Sequence, residues 1–181
     1  MSKKNDGVYV HTLKEPFEYE DKTYTEINFD FGKLTGKDAA AIEEELAAEN
    51  HMIRFEIFDD KYLNLVAARA GGIAENVLTA LPMLEYMDIQ NAVRRSLAES
   101  RGEEPEVQMD LKKLTGADYR AVREELDAEG HLVVSDALDS EFRRKVAARA
   151  SGMSEKDLME LPIQGYLSIT GRVRNFLLRL A

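Results

Sequence analysis

The chain carries one stretch of sequence twice, at a constant offset. KLTGKDAAAIEEELAAENH (33–51) lies over KLTGADYRAVREELDAEGH (113–131), and VAARAGGIAENVLTALP (66–82) over VAARASGMSEKDLMELP (146–162), with no gap between the two matches. The register persists through Tyr86 and Tyr166, Ile89 and Ile169, Val93 and Val173, Arg94 and Arg174, and Leu97 and Leu177. About two positions in five are identical over 29–97 against 109–177, far above chance for an ungapped register. Shared helix-forming composition alone would not hold LTG, the VAARA block and both Leu-Pro steps at one offset. The expectation is a tandem duplication, and it forces the two halves toward the same elements in the same order.

Each copy reads as about four helices. Thr35 and Thr115 are N-cap candidates with an acid three residues on, Asp38 and Asp118, where a capping box more often has Glu or Gln. Helical spacing follows at Ala39, Ile42 and Leu46, and at Tyr119, Val122 and Leu126. Asn50 and Gly130 suit the left-handed residue after a helix. A second helix is expected from Asp59 or Asp139 to Gly72 or Gly152, burying Tyr62 with Val66 and Phe142 with Val146. A short third carries Val77, Leu78 and Leu81, or Leu158 and Leu161. Pro82 and Pro162 then open a final helix. Its stripe is Tyr86, Ile89, Val93 and Leu97 in one copy, and Tyr166, Ile169, Val173, Leu177 and Leu180 in the other.

Ahead of the first copy, Tyr, Phe, Thr, Val and Ile alternate with polar residues. Phe17 and Tyr19 are expected to pair across a Glu20-Asp21-Lys22 bend with a strand holding Tyr24, Ile27, Phe29 and Phe31. Pro16 suits a strand start or an edge. The second copy offers only VQMDL there, so the sheet is expected to be small and unduplicated. The fold class is therefore mainly α: two tandem helical repeats with a small N-terminal β-hairpin. The divisions are 1–31 (tail and hairpin), 32–97 (repeat 1), 98–106 (a polar linker, AESRGEEPE) and 107–181 (repeat 2). One copy without disulfide or metal is marginal as a free domain, so the repeats are expected to pack as one pseudo-symmetric unit.

Composition removes several function classes. There is no Cys, so neither a disulfide scaffold nor a Cys-based zinc site can form. A formal charge of −10 opposes a grip on duplex DNA, which needs clustered Lys and Arg. MSKKNDG leads into no apolar run, so an intracellular protein off the membrane is expected. GxSxG, SxxK, HExxH and the phosphate loops GxGxxG and GxxxxGK[ST] are missing. His51 and His131 read as surface or capping side chains after a helix. Arg69 and Arg149 read as partners of an acid or a helix end within their own copy. Glu44-Glu45 and Glu124-Glu125 read as a solvated face. Arg94, Arg95, Arg172, Arg174 and Arg179 make basic spots on the final helices, with no aromatic interleaving beyond Phe176 to suit nucleic acid. The expectation is a protein without catalysis, cofactor or metal.

Three stretches together resemble a known family. They are FEYEDKTYTEINFDFGKLTGKD (17–38), YLNLVAARAGGIAENVLTALPMLEYMDIQNAVRRSL (62–97) and FRRKVAARASGMSEKDLMELPIQGYLSITGRVRNFL (142–177). The order of a Pro-aromatic entry, a strand, a helix, an AARaSG-like block, a Leu-Pro step and a Val-Arg-Phe-Leu helix resembles the tail assembly chaperones of Mu-type and related phages. One unit is the usual form of that family, and the duplication is the departure. The resemblance implies a non-enzymatic phage or prophage protein in the cytoplasm of a bacterial host. It would bind the tape measure protein and keep it soluble until the tail tube assembles. The tube protein and a second copy of the chain are further candidate partners. Tyr86, Arg94, Tyr166, Arg174 and Phe176, all on the final helices, are the partner-facing candidates. The alternative is an acidic DNA mimic that inhibits a nucleic-acid-binding protein, which requires acids along one continuous face.

Overall fold

The computed structural model describes residues 8–98 and 107–179. The linker expected at 98–106 lies outside the described residues except for Ala98, and so does Leu180 of the second stripe. The chain is mainly helical with an N-terminal antiparallel hairpin. The hairpin is β1 (Val8–Tyr19) and β2 (Lys22–Asp30). The helices are α1 (Gly36–Ala48), α2 (Asp60–Gly71), α3 (Glu75–Thr79), α4 (Met83–Ala98), α5 (Gly116–Ala128), α6 (Ser140–Ser151), α7 (Glu155–Met159) and α8 (Ile163–Leu177). Every helix of the first set starts 80 residues before its counterpart in the second.

Two compact units divide this order. One holds 1–34 and 44–99, the other 35–43 and 100–181, so α1 gives its first turns to the second unit and its last to the first.

The hairpin is longer than the sequence suggests, because β1 already starts at Val8. Tyr19 pairs with Lys22 and Phe17 with Tyr24, leaving Glu20 and Asp21 as the turn. Glu20 takes the left-handed φ of 52° there, and Lys22 belongs to the strand rather than to the bend. The register breaks between Thr12 and Phe17, and Pro16, which has no amide hydrogen to donate, falls inside that break. Phe31 lies past the strand in a 3-10 turn, where it is buried. Leu13, Ile27 and Phe29 fill the first unit together with Tyr62, Leu63, Val66, Leu78, Ile89 and Val93 from the helices. A Cβ at Gly71 would stand 3.2 Å from the Phe29 ring, so the missing side chain lets the hairpin lie close to the end of α2. His11 is buried as well, and its Nε2 meets the Glu85 carboxylate at 2.7 Å.

The second unit has its own core of Val122, Leu126, Val133, Phe142, Val146, Ala147, Leu158, Ile169 and Val173. Tyr119 departs from the expected stripe and is exposed. Its ring meets Phe142 edge-on at 5.6 Å, and its hydroxyl donates to Asp136 at 2.7 Å. A phenol on a core-edge position keeps its polar end wet while its ring still covers apolar surface.

The first turns of α1 fill the corner between α7 and α8. The Gly36 amide donates to the Leu161 carbonyl at 2.9 Å, and Thr35 forms an isolated antiparallel bridge with Pro162. The approach is so close that a Cβ at Gly36 would sit 2.6 Å from Cδ2 of Tyr166 and 2.9 Å from the Met159 Cα. At Gly116, the equivalent position of α5, a Cβ meets nothing within 4 Å. Gly36→Ala is therefore expected to destabilise the second unit by about 1–3 kcal/mol through forced overpacking. Gly116→Ala should leave stability within about 0.5 kcal/mol. Denaturant midpoints of the two variants check this, and equal midpoints would refute the close approach.

Candidate interaction surfaces

The loops after α1 and α5 are built alike from local chemistry. Asn50 (φ 58°) and Gly130 (φ 76°) turn the chain in the left-handed region, and the amides of His51 and His131 return to the Leu46 and Leu126 carbonyls at 2.9 Å. The expected capping role of both histidines takes a definite form. Nε2 of His51 donates to Asp59 at 2.7 Å, and Nε2 of His131 donates to Asp139 at 2.8 Å. Each aspartate uses its other oxygen as the N-cap of the next helix, accepting from the Tyr62 amide at 3.0 Å or the Phe142 amide at 2.8 Å. One side chain thus closes a helix start and anchors the loop before it.

Alternation along these loops decides what faces out. Ile53 and Val133 turn inward and are buried, while Met52, Leu132 and Val134 are 57%, 81% and 77% exposed. Phe58 is exposed too, and its ring contacts Phe55 edge-on. A second apolar surface lies on the first turns of α4, at Met83, Leu84 and Met87. A third, Phe176 and Leu178, ends α8. In the first unit a cleft of about 340 Å3 runs between the hairpin turn (Tyr19, Lys22, Tyr24) and the α2–α3 junction (Gly72, Ile73, Asn76). None of its side chains is a paired acid-base couple.

The five partner-facing candidates fall in unlike places. Phe176 is exposed and Tyr86 half-buried. The guanidinium of Arg94 is turned to its own unit: Nε donates to the Ile57 carbonyl and Nη1 to the Asn91 side chain, both at 2.9 Å, which pins the loop that presents Phe58. Tyr166 and Arg174 are buried at 1% and 8% exposure and offer little surface to a partner in this conformation.

What surrounds Tyr166 is an ionic cluster that pattern reading missed. Arg143, Arg144 and Lys145 are consecutive in α6 and all buried. Arg143 donates to Glu43 at 3.3 Å, and the Tyr166 hydroxyl donates to the same carboxylate at 3.4 Å. Arg144 reaches Glu155 at 3.0 Å, and Lys145 reaches Glu129 at 2.9 Å and Glu155 at 3.2 Å. Burial raises the Tyr166 pKa, and the Glu43 charge pushes the same way. For Arg144 and Lys145, burial opposes the charge, but their partners outweigh it and both pKa values are raised. The only sequence signal was the run Arg143-Arg144-Lys145 at positions where the first copy has Leu63-Asn64-Leu65. Arg69 and Arg149 bond to Glu45 and Glu125 within their own units. Among the described residues, no group of three or more His, Asp or Glu side chains could hold a metal ion, and no helix is long and apolar enough to cross a membrane.

Two outcomes check this geometry. Glu43→Ala strips the buried Arg143 of a carboxylate and is expected to cost about 3–5 kcal/mol in denaturant unfolding; a loss below about 1 kcal/mol would mean that the pair is not desolvated. The His131 pKa is raised above 6.5: burial lowers it, but the Asp139 hydrogen bond and charge, with Glu141 and Glu129, prevail. Its stabilisation is therefore complete below the unfolded pKa of about 6.5 and is lost as pH rises through the folded value. The native chain should lose more stability than His131→Gln between about pH 6 and pH 8; parallel pH profiles would contradict the clamp.

Comparison with curated proteins and with solved structures gives no match. Residues 99–178 match the family described as "Phage tail assembly chaperone proteins, E, or 41 or 14". The matched stretch contains α5 to α8 with the loop that exposes Leu132 and Val134. What this chain shares with the phage tail assembly chaperone family is therefore a similarity over residues 99–178.

Proposed function

We propose that the chain is a non-catalytic chaperone that binds the tape measure protein of a phage or prophage tail in the bacterial cytoplasm and keeps it soluble until the tube assembles. The observation that carries this reading is the family match over 99–178. The surfaces are consistent with it. Met52 and Leu132 stand at equivalent positions on clamped loops, and Phe58, Val134 and Phe176 add exposed apolar area. Individually small contacts of this kind release readily, and two on one chain gain by linkage. An acidic chain of net charge −10 would also keep a complex dispersed. We further infer that 29–97 arose by duplication of the matched segment. The common offset of eight helices and both His–Asp clamps supports this.

The DNA-mimic alternative fares worse, because its acids do not form an unbroken face. Glu45, Glu125 and Glu129 each bond an Arg or Lys of their own unit. Co-expression with the cognate tape measure protein is the direct test. Soluble tape measure should rise with the native chain, and rise several-fold less with Leu132→Ser, Val134→Ser and Phe176→Ser combined. No rise with the native chain would end the chaperone reading.

A further inference from the structure

The second unit contains a filled contact whose two halves both recur, unfilled, elsewhere in the chain. Within that unit Thr35 and Gly36 bind Pro162 and Leu161 at the α7–α8 corner, and Ile163 and Gln164 at the same corner are 0% and 5% exposed. Eighty residues earlier, at the α3–α4 corner, the equivalent Met83 and Leu84 are 72% and 59% exposed. Tyr86, the counterpart of the buried Tyr166, is only half-covered. Eighty residues after the covering segment, the first turn of α5 is exposed, with Gly116 meeting nothing where Gly36 meets Tyr166. A seat and a plug of matching design thus stand open.

We propose that the first turns of α5 in one copy of the chain dock into the α3–α4 corner of a second copy, repeating between molecules the contact that α1 makes with the α7–α8 corner. Gly116 would then lie against Tyr86 as Gly36 lies against Tyr166, and Met83 and Leu84 would be covered as Ile163 and Gln164 are.

One charged pair of the template drops out of the proposed contact as a pair. In the template Lys37 pairs with Glu160. The corresponding residues are Ala117 and Ala80, so both charges vanish together. Glu43 and Arg143 correspond to Arg123 and Leu63, and Ala40 to Arg120. Arg123 keeps its bonds to Asp136 and the Val133 carbonyl within its own unit, and the exposed Arg120, beside Glu124, brings positive charge to a corner that carries acids. Asp60 and Glu75 lie near enough to Tyr86 to raise its pKa, together with its partial burial. Met83 and Met87 suit a contact that must adjust to these changes, since unbranched thioethers fill irregular gaps.

Such a contact is heterologous, because seat and plug are different surfaces. It can therefore propagate, and only the rotation between copies decides whether it closes into a ring. It stands independently of any tape measure binding.

Sedimentation velocity across a concentration series tests it. The native chain should grow beyond its 20.5 kDa mass as concentration rises. Met83→Asp spoils the seat and Gly116→Val the plug, and each alone should weaken association at least about tenfold. Both positions are exposed, so thermal unfolding should match the native chain. An equimolar mixture of the two variants retains one good seat and one good plug, and should recover a species of two chains that grows no further. A native chain that stays monomeric throughout would overturn the proposal. So would variants that associate as the native chain does, or a mixture that fails to recover the pair.

Discussion

The arrangement of the second unit depends on one buried contact, the seating of Gly36 and Glu43 against α6, α7 and α8. Glu43 answers the charge of Arg143, which is almost without solvent contact, and accepts from the Tyr166 hydroxyl. A guanidinium placed so deep is tolerable only with a carboxylate beside it, because the desolvation cost of either charge alone exceeds what packing returns. The backbone bond from Gly36 to Leu161 and the absent Cβ set how near that carboxylate can come. Residues 100–181 therefore do not complete their own core chemistry, and a segment from far earlier in the chain finishes it.

A second, quite different economy governs the loops. An aspartate that caps a helix has a spare oxygen, and in both units a histidine from the preceding loop takes it. The loop backbone is thereby tied down while Met52, Leu132 and Val134 stay in solvent. Large apolar side chains held outward on an anchored loop suit the chaperone role proposed above. The anchored backbone leaves less entropy to lose on contact, and each side chain has too little area to make the contact permanent.

Much of this was legible from residue order. The cap at Thr115, the helix starts at Asp59 and Asp139, the left-handed turns at Asn50 and Gly130, and the helix ends at Gly72 and Gly152 stand where pattern reading puts them. The burial of Arg143, Arg144 and Lys145 was not legible. Three consecutive cations are expected in water from their residue type alone, and only the convergence of Glu43, Glu129 and Glu155 makes the opposite true. His11 and Glu85, 74 residues apart, were equally invisible as a pair. Tyr86 and Tyr166 hold equivalent places in the pattern, yet their burial differs.

The amino-acid order by itself determined the element sequence, the helix caps and the 80-residue spacing, because each rests on side chains bonding to backbone within a few positions. Tertiary structure decided which of two equivalent surfaces is covered. Ile163 and Met83 occupy the same place in the pattern, yet one is sealed and the other open, and within the second unit residues 35–36 bind the α7–α8 corner where Ile163 lies. Periodicity reports which face of a helix is apolar. It carries no information about which distant segment comes to lie against it, and burial is settled by that segment.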